Sequence, residues 1–314
     1  MTQYFSLVFP GQGSQKLGML AELAKEFSCV KEIFAEASDV LNYDLWQITQ
    51  DGPEIKLNET EITQPAMLAA DIAVYRCWQA KSAGRPFIMA GHSLGEYAAL
   101  VAANSINFTD AIALVAKRGK YMQQSPAGSM AAIVGLDEIK IRELCELAAR
   151  EEILAPANFN SIGQTVIAGN QAAVERSLEI AKSLGAKIAK IIPVSVASHS
   201  PLMQSAADKL AKDLQQISIR PPEISVLQNA DVQSHTEPDK IRDALIQQLT
   251  SPVRWVETIQ NMVQEKVRTC IECGPGKVLM GLIKRIDPQL NILLTETPTL
   301  LIETCEKIKS TGEK

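Results

Sequence analysis

Residues 87–100 read FIMAGHSLGEYAAL, an apolar run that passes through Gly-His-Ser-Leu-Gly directly into a helical pattern. A run without polar alternation belongs to a strand buried on both faces, which needs layers packed on either side of a sheet. The turn is equally demanding. Side chains at 91 and 95 would collide with neighbouring chain, so both positions are glycine. Ser93 then stands at a helix N-terminus, where backbone N–H groups can stabilise an oxyanion. The five residues alone fit an exposed nucleophile and an ordinary loop serine.

The flanking sequence extends this grammar. YFSLVF (4–9) is a short buried strand that stops at Pro10-Gly11. Helical patterns cover 19–41 and 65–80, the second with Pro65 in its first turn. Strand 87–90 precedes the helix from Glu96, and Thr109-Asp110 caps a further helix, AIALVAKRGKYM. Strand candidates ISVLQNA (224–230) and TCIEC (269–273) follow late in the chain. The order predicts an α/β protein whose large domain is α/β-hydrolase-like, with a mostly parallel sheet.

The middle follows another rule. MAAIVGL, DEIKIRELCELAARE, two short strands hinged near Asn158–Gln164, QAAVERSLEIAKSLGA and KIAKIIPVS run β-α-β-β-α-β. That is the ferredoxin-like order. The expected division is a large domain of 1–128 and 197–314, with a ferredoxin-like subdomain, 129–196, inserted into it.

A net charge of −5 over 314 residues argues against nucleic acid or an anionic membrane as partner. No apolar run approaches the roughly 18 residues of a membrane span, and MTQYFSLVFPGQG lacks a basic n-region, so no signal peptide is expected. Six scattered cysteines fit a reducing, cytoplasmic setting. Cys270 and Cys273 have no second pair nearby, so no metal site is expected.

A nucleophilic serine needs a base, and the chain has only three histidines. His92 adjoins the serine and should leave the turn in another direction. His235, in DVQSHTEPDK, reads as solvent-exposed. His199, in PVSVASHSPLM, follows an apolar strand and precedes a proline, the kind of loop that carries catalytic groups. It remains the candidate base, against an ordinary structural histidine. An esterase would add an acid and place its histidine late. Here the histidine is mid-chain, and nothing marks Asp208 as its partner.

Seven segments together carry a resemblance: FPGQGSQ (9–15), ITQPA (62–66), GHSLGEYAAL (91–100), AKRGKYM (116–122), PVSVASHS (193–200), QLTSPVRW (248–255) and ECGPGKVL (272–279). In this order the chain resembles the malonyl-CoA:acyl carrier protein transacylases of bacterial type II fatty acid synthesis. It is also similar to the acyltransferase domains of fatty acid and polyketide synthases. The resemblance implies transfer of malonyl from malonyl-CoA to the phosphopantetheine thiol of acyl carrier protein through a malonyl-serine, with no bound cofactor.

By that resemblance Ser93 is the nucleophile and His199 the general base, oriented by a backbone carbonyl near Gln248, which explains the missing acid. Gln12 and Leu94 match the oxyanion-hole pair through their N–H groups. Arg118 matches the malonate-recognising arginine, although its own context reads as a solvated cation near a helix end. A guanidinium fork suits a free carboxylate. Met122 and Val196 match acyl-pocket positions and could equally be core. Asn158 and Gln164, on the small-domain hairpin, are expected to face the CoA arm. Ala197 departs from the proline of many members, in a neighbourhood that tracks malonyl against methylmalonyl choice.

GPGK (274–277) is not a phosphate loop, because Ile271 occupies the first glycine position and Val278 the Ser/Thr position. Lys187, Lys190, Lys284 and Arg285 are ordinary solvated cations in isolation and candidates for docking the acidic carrier protein under the resemblance. A monomer is expected. The alternatives are a serine-histidine acyl hydrolase of thioesterase type, an acyltransferase of a polyketide pathway, and a non-catalytic carrier-binding module.

Overall fold

The computed structural model describes residues 4–81, 83–194 and 196–311. Among them are nine strands: β1 Tyr4–Phe9, β2 Ile88–Gly91, β3 Ser129–Val134, β4 Leu154–Ser161, β5 Gln164–Gly169, β6 Ile188–Ile192, β7 Ser225–Leu227, β8 Val267–Glu272 and β9 Asn291–Leu294. They form two sheets. One is five-stranded in the order β7-β2-β1-β8-β9 and parallel throughout. The other is four-stranded in the order β4-β5-β3-β6 and antiparallel.

The apolar runs seen in the sequence are strands buried on both faces. In β1, Phe5, Leu7 and Phe9 enter one core and Val8 the other. In β2, Met89 joins the first core, while Ile88 and Ala90 join the second. Helix Thr60–Ala80 packs into the first core. Helices Trp255–Gln264 and Val278–Ile286 supply the second. This is the period-two geometry of a sheet between two layers.

Because the strands are parallel, the loops that leave them gather at one edge, where α/β folds place their sites. Phe9 pairs with Gly91, and Val8 with Glu272. The segments Pro10–Ser14, Gly91–Gly95 and Cys273–Lys277 therefore emerge side by side.

The small sheet has the expected β-α-β-β-α-β order, with helices Glu138–Ala149 and Gln171–Ser183 as its crossovers. It has a core of its own, including Ile133, Ile141, Leu144, Ile167 and Val174. Two backbone bonds tie it to the larger body: Phe159 N to Val253 O and Val253 N to Ala157 O, both 2.9 Å.

Several elements differ from the sequence reading. The pattern read over 19–41 is two helices, Ala21–Glu26 and Ser28–Leu41, broken at extended Phe27. The helix read as 65–80 starts at Thr60, and Pro65 lies inside it. Pro65 has no N–H, so the one intrahelical bond it would have given Glu61 O is lost. Thr63 Oγ1 anchors the earlier start by donating to Leu57 O at 2.5 Å. The helix read as capped by Thr109 starts at Phe108 after extended Asn107, leaving Asp110 in its first turn. Ile106, pinned in a bridge to Ile219, holds the chain extended just before it. Finally, β9 and helix Pro298–Thr311 were not anticipated. NILL is short and lacks alternation, so its strand character comes from pairing with β8.

Candidate active site

The elbow is built around two glycines that admit no side chain. A Cβ on Gly91 would lie 1.8 Å from the Gly95 carbonyl carbon, and one on Gly95 2.1 Å from Phe9 O. Ser93 has φ 53°, in the left-handed region. Asn229 holds it there, accepting from Ser93 N at 2.7 Å and donating to Gly91 O at 2.7 Å. The serine precedes helix Gly95–Ala102.

His199 closes on it. Ser93 Oγ and His199 Nε2 are 2.7 Å apart, and His199 Nδ1 lies 2.7 Å from the Gln248 backbone carbonyl. A carbonyl only accepts, so Nδ1 carries the hydrogen and Nε2 presents its lone pair to the Ser93 hydroxyl. Burial, followed by the neighbouring Arg118 charge, lowers the His199 pKa to about 3 and keeps the ring neutral. His199 also has a left-handed φ of 58°. The pair can therefore move the serine proton onto the imidazole when Oγ attacks an acyl carbon.

Arg118 is 1% exposed, not the solvated cation its sequence context suggested. Its side chain comes from helix Phe108–Gln123. One guanidinium nitrogen donates to Gln64 Oε1 at 2.8 Å. The other donates to Gln248 Oε1 at 2.9 Å and reaches Ser93 Oγ at 3.4 Å. The group lies over the Tyr97 ring, 5.5 Å from its centroid. A buried cation beside the serine, with no carboxylate in direct contact among the described residues, is a place for an anionic acyl group.

Gly11 brings the first loop against the elbow, where a Cβ would lie 2.4 Å from His92 O and 3.6 Å from Leu94 N. Among the described residues, the backbone N–H groups of Gln12 and Leu94 have no acceptor. Both residues line a cavity of about 280 Å³ with Ser93, His199 and Arg118. That volume suits an acyl group and its thioester end.

Met122, Val196 and Asn158 line the same cavity. Met122 Sδ accepts from Gln64 Nε2 at 3.4 Å. Gln248 is fully buried behind it, on helix Pro238–Thr250. Gln164 does not line this cavity; at the start of β5 its Oε1 accepts from Arg285 at 2.6 Å. Arg285 and Lys284 are exposed, and Lys284 Nζ donates to Leu290 O at 3.0 Å. Lys187 and Lys190 are exposed beside the outer strand β6.

The other histidines separate as the sequence suggested, with one change. His92 is not paired with Ser93: its Nε2 meets Asn160 Oδ1 at 2.8 Å, while the residue also lines the cavity. His235 is half-buried and paired to Asp231 at 2.7 Å rather than solvated. A polar segment made it look exposed, yet an acid four residues earlier was available to it. Asp208 contacts Gln204 on the surface.

Four contributors escaped the sequence reading: Gln64, Glu96, Asn160 and Asn229. Glu96 is the sole charge in the otherwise apolar, wholly buried helix GEYAALVA, whereas Gln64 shares its helix with several other polar residues and carries no such signal. A lone polar side chain on an all-apolar helix is a signal in itself. Asn160 stands two residues from Asn158 on β4, and Asn229 ends an apolar strand segment.

Similarity to known proteins agrees with this geometry. The acyl transferase domain family matches residues 6–289. The malonyl CoA-acyl carrier protein transacylase of Escherichia coli K12 is 50% identical over 309 residues, 98% of this chain and 100% of its own. The solved transacylase of the same name from Coxiella burnetii superposes with a TM-score of 0.96 at 52% identity, covering 98% of each chain. A malonyl-transacylase solved in complex with a type II polyketide acyl-carrier protein gives 0.95 at 50% identity, covering 97% of this chain and 99% of its own. With a serine-histidine pair at the elbow and matches along almost its whole length, the chain belongs to the acyl transferase domain family.

Proposed function

We infer that this protein transfers the malonyl group from malonyl-CoA to the phosphopantetheine thiol of acyl carrier protein, supplying extender units for fatty acid synthesis. The observation that carries the reading is the buried Arg118 guanidinium beside Ser93 Oγ. A carboxylate at the far end of the acyl group would take its free donor capacity. The E. coli relative bears that activity in its name, and the polyketide-type relative was solved with a carrier protein.

In the proposed sequence Ser93 Oγ attacks the thioester carbon as its proton passes to His199 Nε2. The Gln12 and Leu94 N–H groups receive the oxyanion. The C–S bond breaks and the CoA sulfur leaves with the proton from His199. The carrier thiol then gives its proton to His199 and attacks the malonyl-serine ester; the C–O bond breaks and Ser93 Oγ leaves with the proton from His199, which restores both residues. Thioester, serine and imidazole balance each half without a bound cofactor. The reading includes a cytoplasmic setting and a single-chain working unit. Among the described residues no helix is long and apolar enough to cross a membrane.

Met122, Val196 and Asn158 are proposed to shape the acyl and thioester path. The carrier is proposed to dock first on Lys187 and Lys190, near the cavity residues Pro193 and Val194. Lys284 and Arg285 give it secondary charge. Residues 1–128 with 197–314, and 129–196, are the proposed domain division, to be checked by limited proteolysis.

The test is to mix enzyme, malonyl-CoA and phosphopantetheinylated carrier and weigh the carrier. Malonyl-carrier and free CoA are expected. Free malonate with unmodified carrier would indicate a hydrolase.

A further inference from the structure

Glu96 lies on the first turn after the elbow and is fully buried. Its carboxylate accepts three hydrogen bonds, all from uncharged donors. Its Oε1 accepts from Gln228 Nε2 at 3.2 Å. Its Oε2 accepts from Asn229 N at 2.8 Å and Gln248 Nε2 at 2.9 Å. No substrate atom need touch it, so the transfer steps above leave its purpose open.

The side chain of Gln248 shows that purpose. An amide has two nearly isosteric ends, and its partners decide which way it faces. Nε2 donates to both Glu96 Oε2 and Ser93 O, each at 2.9 Å. Oε1 is thereby turned to Arg118, which donates to it at 2.9 Å. Reversal would set the amide nitrogen against the guanidinium and its oxygen against a carboxylate and a carbonyl. The same residue's backbone carbonyl receives His199 Nδ1.

We propose that Glu96 is a positioning residue for acyl selection: by fixing the sense of the Gln248 amide it aims the Arg118 guanidinium at the acyl group on Ser93. The relay runs Glu96 Oε2, Gln248 Nε2, Gln248 Oε1, Arg118. Glu96 also holds Asn229, the partner of Ser93 N. One buried carboxylate thus steadies both the serine turn and the clamp. Burial raises its pKa to about 7, while its donors and the Arg118 charge pull it down; in its ionised form it offers Arg118 an opposite charge at one remove and leaves guanidinium donor capacity for substrate. This deepens the malonyl-transfer reading and rests on it.

The experiment measures Ser93 loading from malonyl-CoA and acetyl-CoA, with wild type, Glu96→Gln, Glu96→Asp and Gln248→Met run together. Thermal midpoints confirm folding. Glu96→Gln is expected to lower the malonyl-to-acetyl ratio of kcat/KM about tenfold, mainly through the malonyl-CoA KM. Glu96→Asp, which keeps the charge but shortens its reach, is expected to recover part of the loss and decides the matter if the glutamine variant does not fold. In the Gln248→Met background Glu96→Gln is expected to change the ratio no further. An unchanged ratio in folded Glu96 variants overturns the relay, as does an undiminished effect in the Gln248→Met background. Wild type that takes no malonyl overturns the underlying reading instead, so the two failures are distinguishable.

Discussion

His199 gives its Nδ1 hydrogen to the backbone carbonyl of Gln248 at 2.7 Å, where a serine esterase would offer a carboxylate. The orienting group is part of the main chain, so no side-chain substitution removes it. Gln248→Ala should therefore keep the Ser93–His199 pair while releasing Arg118. Malonyl loading should fall further than acetyl loading. His199→Ala should lower both, by about 10²–10⁴-fold. Stopped-flow loading with the two donors checks the contrast.

Arg118→Ala should cost malonyl loading about ten- to hundredfold, the equivalent of a charge-assisted hydrogen bond of about 1.5–3 kcal/mol. The loss should be specific to donors bearing a free carboxylate. Competition between malonyl-CoA and acetyl-CoA, read by intact mass, measures it; equal loss of both would remove the clamp assignment.

Gly95→Ala tests the elbow itself. The added methyl would meet Phe9 O at 2.1 Å, backbone against backbone, with no flexible side chain to yield. A destabilisation of more than about 3 kcal/mol, or loss of folded protein, is expected. Thermal or urea unfolding reads it directly. Gly281→Ala is the control, because a Cβ there meets nothing within 4 Å.

Much of this site was readable from residue order because elbows and parallel strands impose local rules. FIMA before GHSLG specified a buried strand and a glycine-bounded turn, and with only three histidines elimination left His199 as the candidate base, still against a structural role. Arg118 was different. Its helix segment looks like a surface, and only the fold shows that Gln64, Tyr97 and Gln248 enclose it. β9 escaped because a four-residue edge strand takes its identity from its neighbour.

Stability should respond to acid through His199. Its folded pKa of about 3 lies below the ordinary 6.5, so between these values the unfolded chain binds a proton the folded one refuses. Stability is then lost as pH falls through that window and is unaffected by this group above it. His199→Gln should remove that loss. At pH 4.5 the variant should gain about 3 kcal/mol on wild type relative to the difference at pH 7.5. Denaturant titrations of both proteins at both pH values test this; parallel behaviour would mean that the ring is not held neutral.

The central claim is that Ser93 carries the malonyl group between two thiols. The direct measurement is intact mass, with peptide mapping, after brief mixing with malonyl-CoA. The account predicts one malonyl group on Ser93, none on Ser93→Ala, and discharge onto carrier thiol much faster than into water. A malonyl group that appears on Ser93→Ala, or on any residue other than Ser93, would contradict it.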